Sequence, residues 1–175
     1  DPEAENYNPD ATIEDDSCDY SNDGPYFELT IDQTGESHLI ILQDSISGLE
    51  NGDEIGIFDA NGVLYTIDAG ETPEYGEVLV AAGVWDGIAN DEGTVLDITA
   101  IMSLDLSDFN GPVLGGAVDG NPVVIKVFDI SAGGEHEITE LTTSMGGAFG
   151  DIMTVVLDLG LENTTDPIYG CTDES

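Results

Sequence analysis

Basic side chains are almost missing from this chain: one Lys+Arg stands against 38 Asp+Glu in 175 residues, a formal charge of −37. Phosphate binding needs Lys and Arg to displace counterions, so a nucleic-acid partner is excluded. Docking to anionic lipid heads is excluded for the same reason. No apolar run approaches the ~20 residues that a membrane-spanning helix needs. Aromatic residues make up only 7% of the chain, and there are only two cysteines, Cys18 and Cys171, too few for a disulfide-dense scaffold. The first residues, Asp1-Pro2-Glu3-Ala4-Glu5, have neither a basic n-region nor an apolar h-region. The chain therefore reads as a mature protein or a piece excised from a longer one.

What is present argues for a folded core. Charge this one-sided often accompanies disorder, but the hydrophobic fraction is 40%, and Val, Ile and Leu recur in short clusters. Such a fold repels itself at low ionic strength. A saline exterior containing divalent cations is the setting in which this composition makes sense.

Three textures follow one another. Residues 1–23 are polar, acidic and rich in turn formers. Residues 24–161 alternate short apolar runs with Gly, Asp and Asn. Residues 162–175 return to the polar texture. The central segment predicts strands over residues 26–31, 38–42, 54–58, 63–67, 77–81, 95–101, 123–128, 137–142 and 152–157, with Asn61-Gly62 as a hairpin turn between the third and fourth. About nine short strands with regular turn signals predict a mainly β fold, an antiparallel β-sandwich of the jelly-roll or immunoglobulin-like kind. No amphipathic helix is convincing. Lys126 sits in an alternating run, facing opposite to Ile125 and Val127. It belongs either to a solvated outer face with acidic neighbours or to a buried charge pair.

The two ends are related. The C-terminal Tyr169-Gly170-Cys171-Thr172-Asp173 and the N-terminal segment with Asp1, Pro2, Ala4, Asn6, Tyr7, Asn8, Pro9, Ala11, Asp15, Asp16, Ser17 and Cys18, joined at the shared Asp, resemble the repeat G-C-T-D-P-x-A-x-N-Y-N-P-x-A-x-x-D-D-G-S-C of large secreted bacterial proteins. That repeat is similar to the calcium-binding type 3 repeats of thrombospondins. The glycine that usually precedes the serine is missing here. The resemblance covers about 25 residues; the central segment resembles the β-sandwich modules of the same proteins only loosely, through residues 52–59 and 125–129. It implies a secreted or cell-surface location, calcium as cofactor, and copies of the chain itself as partners. Asp1, Asn6, Asn8, Asp15 and Asp16 would be calcium ligands, and Gly170, Cys171, Thr172 and Asp173 would contact the neighbouring copy. Cys171 would pair with Cys18 of the next unit; a Cys18–Cys171 bond within one chain and two free thiols stay open. On the residues alone, the same Asp and Asn side chains serve as Asx-turn formers.

The function implied is a structural module of an extracellular filament or adhesin, joined head to tail through a calcium-binding, disulfide-bearing connector. The second reading is a carbohydrate-binding module, with Trp85, Tyr65, Tyr75 and Tyr26 as a platform for sugar rings. Exposure of Trp85 in a groove favours sugar binding; its burial favours the structural reading. Asp53, Asp59 and Asn61 are candidates for a further cation site or for turn chemistry. The chain is read as non-catalytic. His38 and His136 have no further ligands to complete a zinc site. No nucleophile elbow or phosphate loop appears, and with 38 acids a close carboxylate pair arises by chance.

The charge generates a first prediction. Raising NaCl from about 0.1 M to about 1 M shortens the Debye length from ~10 Å to ~3 Å, so the thermal unfolding midpoint should rise. A midpoint that stays level or falls across that series contradicts a fold under strong self-repulsion.

Overall fold

The computed structural model describes residues 24–161, apart from residues 132, 137 and 139. Ten strands form three sheets: β1 (Ser37–Gln43), β2 (Glu54–Val63), β3 (Tyr75–Val84), β4 (Thr94–Ile101), β5 (Leu104–Asp105), β6 (Val113–Leu114), β7 (Val124–Asp129), β8 (Gly134–His136), β9 (Thr142–Met145) and β10 (Thr154–Asp158). One four-stranded sheet has the order β4-β1-β10-β9, the other β3-β2-β7-β8, and β5 and β6 make a small third sheet. The described residues contain no α-helix, only a 3-10 turn at Ser107–Phe109.

The period of two dictated by the pleat sorts the side chains. Ile40 and Leu42 of β1, Ile98 and Ala100 of β4 and Val156 of β10 point inward from one sheet. Ile55 and Ile57 of β2, Val80 of β3 and Ile125 and Val127 of β7 point inward from the other. All are buried in one apolar cluster. Burying such side chains contributes roughly 1.5–3 kcal/mol each before entropy is counted. β3 and β4, the outermost strands of the two sheets, touch one another and close one side of the sandwich.

Strand directions set which groups share an end. β1 pairs antiparallel with β4 and parallel with β10, in register Ile40↔Thr154, Ile41↔Val155 and Leu42↔Val156. The first and last strands therefore run the same way. β1 ends beside the loop 44–53 that leads into β2, and β10 ends beside the same loop, with the buried Leu161 against Gly48. This is the tether end of the sandwich. Trp85 also lies there, its backbone exchanging hydrogen bonds with Gly52 and Asp53.

Residues 26–31, predicted as a strand, are not one. They form a strap over the outer face of the second sheet. The Tyr26 and Phe27 amides donate to the Glu54 carboxylate at 2.9 and 3.1 Å. The Tyr26 hydroxyl donates to Glu135 at 2.8 Å, and its ring stacks on Phe128 at 3.9 Å. Phe27 is buried against Phe58 and Gly56. A Cβ on Gly56 would stand 2.7 Å from the Phe58 ring and 2.9 Å from the Phe27 ring, so the strap docks where the sheet has no side chain. Lys126 emerges on this same outer face, over the Phe58 ring at 4.4 Å and paired with Glu77 at 2.6 Å.

The Asn61-Gly62 hairpin is also corrected. β2 continues through both residues with a register shift between Asp59 and Gly62, and the chain turns later, between Leu64 and Glu74. Asp59 explains the difference. Its carboxylate, 1% exposed, accepts from the Asn61 amide at 2.8 Å, the Val118 amide at 2.8 Å and the Asn121 side chain at 3.0 Å. Those bonds hold Asn61-Gly62 in a bulge, and Val78 and the Gly116 carbonyl pack so closely on Gly62 that a Cβ would collide with both. The strand predicted over 137–142 includes residues outside the described ones; β8 ends just before it and β9 begins at its last residue, Thr142.

Asp59→Ala leaves buried donors without an acceptor, at a cost of about 3 kcal/mol. Urea unfolding should show that loss, and Asp59→Asn, which keeps one acceptor oxygen, should lose less. Equal stability of Asp59→Ala and the parent chain contradicts the role assigned to this carboxylate.

Candidate functional site

The residues expected to hold calcium, Asp1, Asn6, Asn8, Asp15 and Asp16, lie outside the described residues. So do both cysteines, Cys18 and Cys171, and the expected contact residues Gly170, Thr172 and Asp173. The expectation of a head-to-tail module built on a calcium-binding, disulfide-bearing connector is corrected. Among the described residues no three His, Cys, Asp or Glu side chains gather as a metal site, and no cysteine is present to form a bridge. The candidates for a further cation are engaged otherwise. Asp53, 1% exposed, accepts from the Glu50 amide at 2.8 Å and the Ile130 amide at 3.3 Å. Asp59 faces the donors described above. Backbone amides donate to both carboxylates. The acidic loops follow the same pattern: Asp86 accepts from the Ile88 amide, Asn90 from those of Glu92 and Thr94, and Asp105 from that of Ser107. These are Asx turns. The bonds from Ser107 hold the Asp105 carboxyl below the usual carboxylate range.

The aromatic platform is divided. Trp85 is 5% exposed and belongs to the core cluster, so it offers no face to a ligand. Tyr26 belongs to the strap at the tether end. Tyr65 and Tyr75 lie at the opposite end, where β2 finishes and β3 begins. Val63 pairs with Tyr75, and the Leu64 amide donates to the Glu74 carbonyl at 3.0 Å. This far end forms the tip of the sandwich, completed by β5 and β6 and by bridges joining Val63 to Gly116 and Ile67 to Val113. Val63, Ile67 and Val113 form a second small apolar cluster beneath it.

At the tip the strap finishes beside the end of β2. Thr30, Ile31 and Asp32 face Leu64, Tyr65 and Thr66 across a groove of about 270 Å³. Tyr65 is 48% exposed. The neighbouring Glu74 carboxylate, with a smaller contribution from burial, holds the phenol above its ordinary value. Gly115 packs directly on the Tyr65 backbone, where a Cβ would approach to 3.0 Å, and the Gly115 amide donates to Thr66 Oγ1 at 3.3 Å. The groove is thus lined by one aromatic residue, by the apolar Leu64 and Ile31, and by the polar Thr30, Asp32 and Thr66. Tyr65 was legible as an aromatic candidate; Thr30 and Asp32 were not, because their segment reads as a strand and only docking of the strap brings them to Tyr65.

Both histidines are occupied. His136 Nε2 lies 3.0 Å from Asp129. His38, 2% exposed, contacts Thr154 Oγ1 at 2.9 Å and meets the Phe149 ring edge-on. Searches of family models, curated proteins and solved structures found no match to the chain.

Burial pushes the His38 imidazole below its ordinary value, while a hydrogen bond with the Asp151 backbone and the nearby Asp151 charge pull the other way. The folded-state value is thus below that of the unfolded chain, which takes up the proton first as the pH falls. The stability His38 contributes is whole above its unfolded value near ~6.5 and is lost as pH drops beneath it. His38→Gln should flatten the dependence of the unfolding midpoint on pH between about 7.5 and 5.5. An identical slope in both proteins contradicts a neutral, buried His38.

Proposed function

We propose that this chain is a non-catalytic binding module of a secreted or cell-surface protein, and that its tip groove takes a neutral oligosaccharide. The observation that carries the reading is Tyr65, half exposed and lining a groove with Thr30 and Asp32 at the tip of the sandwich. An exposed aromatic ring stacks on the apolar face of a pyranose, and a carboxylate and a hydroxyl accept and donate the hydrogen bonds that sugar hydroxyls require. The charge of −37 selects among sugars: an acidic polysaccharide is repelled at every approach, while a neutral one is not.

The position of the groove supports the same reading. The described chain begins and ends at the tether end, and the groove lies at the other. Non-catalytic action is supported by how the reactive side chains are used. His38, His136, Asp53 and Asp59 are each engaged in a bond that serves the fold. Burial of Trp85 counts against the sequence-based platform, so the sugar-binding reading rests on the Tyr65 groove alone.

The test is calorimetric titration of the full chain with a panel of neutral oligosaccharides. Tyr65→Ala should weaken binding at least about tenfold, ~1.4 kcal/mol, with the unfolding midpoint little changed, and Ile88→Ala, at an exposed position just past β3 at the tether end, should leave binding as it was. Absence of binding to every neutral sugar, or binding that ignores Tyr65→Ala, contradicts the proposal.

A further inference from the structure

We infer that the sandwich is built to carry tension between its tip and its tether end, with β10 and the strap both loaded lengthwise. This goes beyond the sugar-binding reading, because the axis of load runs from tip to tether whatever the tip holds.

The inference rests on strand direction. β10 is an interior strand, paired on one side with β1 and on the other with β9, where Val155 faces Met145 and Val156 faces Thr143. It runs from Thr154 near His38, at the start of β1, to Asp158 at the tether end. A pull on the chain beyond Leu161, resisted at the tip, acts along the axis of β10. Its ladder bonds on both sides lie across that axis, so they are strained together. Thr154, Val156 and Leu159, all 0% exposed, must leave the core in the same step. Pulled sideways, the same bonds would give way one pair at a time.

The strap repeats the arrangement. It starts at Glu54 and Glu135, at the tether end, and finishes at Leu64 and Tyr65, at the tip. A pull on the chain before residue 24 is met first by the Tyr26 and Phe27 amides on Glu54, by the Tyr26–Glu135 bond and by the Tyr26–Phe128 stack. The buried Phe27 ring, seated over Gly56, resists sliding along the sheet. Both segments at the ends of the described chain, the strap and β10, thus lie parallel to the load. The outermost strands β8 and β9, short and paired on one side only, are spared it.

Forced unfolding reads the rate of barrier crossing under load, so the experiment compares pulling directions on the same full chain. One set of molecules carries an azide handle at Ala69, in the exposed loop of the tip, and a C-terminal tag. A second carries the handle at Glu140, just before β9, and the same tag. The first geometry shears β10. The second opens the antiparallel β9–β10 pair from its tether end. The rupture force should be severalfold higher in the first. In a third set, pulled between Ala69 and an N-terminal tag, Tyr26→Ala should lower the force of the first event, while the same substitution leaves the C-terminal geometry unchanged. Equal forces for the Ala69 and Glu140 geometries overturn the inference for β10. A first event indifferent to Tyr26→Ala overturns it for the strap. Neither result depends on whether sugar binds, so failure here is distinct from failure of the binding proposal.

Discussion

The parallel pairing of β1 with β10 sets the polarity on which the rest of the molecule depends. Sandwich strands joined by hairpins alternate in direction, and a last strand antiparallel to the first would return the chain to the end where β1 begins. Here the last strand runs with the first. The chain therefore leaves beside the β1–β2 loop, and the strap, pinned at Glu54, brings it in at the same end. The opposite end is left to the β2–β3 turn, to β5 and β6, and to the groove they border with the strap. Separation of tip from tether follows from the direction of one strand and the docking of one irregular segment.

Charge constrains how this is achieved. With 38 acidic side chains and one basic one, ion pairing cannot organise the fold. Lys126 satisfies one carboxylate, Glu77, at an exposed site where such a pair contributes little. The carboxylates that matter structurally work as hydrogen-bond acceptors for the backbone. Asp53 and Asp59 gather amides from segments distant in sequence, Ile130 and Val118 among them, and Glu54 holds the strap through two more. Among the described residues no buried side-chain polar atom lacks a partner. A carboxylate used in this way needs no cation, which is why a sequence that invites metal binding at Asp53, Asp59 and Asn61 forms a bulge and two locked loops instead.

Legibility followed periodicity. The runs that became β1, β4, β7 and β10 alternate or are continuously apolar, and they were placed to within a few residues, because inward side chains of a sandwich must recur at every second position. Asn61-Gly62 and residues 26–31 were misread, each for a long-range reason. Asn61-Gly62 carries the local signature of a turn, but Asp59 captures Asn121 and the Val118 amide from far along the chain and keeps the strand going. Residues 26–31 alternate like a strand, but their amides find a carboxylate instead of a neighbouring strand. Trp85 was open between platform and core, and the apolar cluster at the tether end takes it. Half of the groove was legible: Tyr65 stood out as an aromatic, while Thr30 and Asp32 carry no motif and gain meaning only when the strap lies down beside Leu64.

The arrangement of tip and tether is tested most directly by backbone nuclear Overhauser contacts and amide exchange in the isotopically labelled full chain at high salt. The account expects contacts of parallel type joining residues 40–42 to residues 154–156, antiparallel contacts joining Ile55 to Val127, and slow exchange at the Tyr26 and Phe27 amides that speeds up in Glu54→Gln. Antiparallel contacts between the first and last strands, or fast exchange at both strap amides in the parent chain, would contradict it.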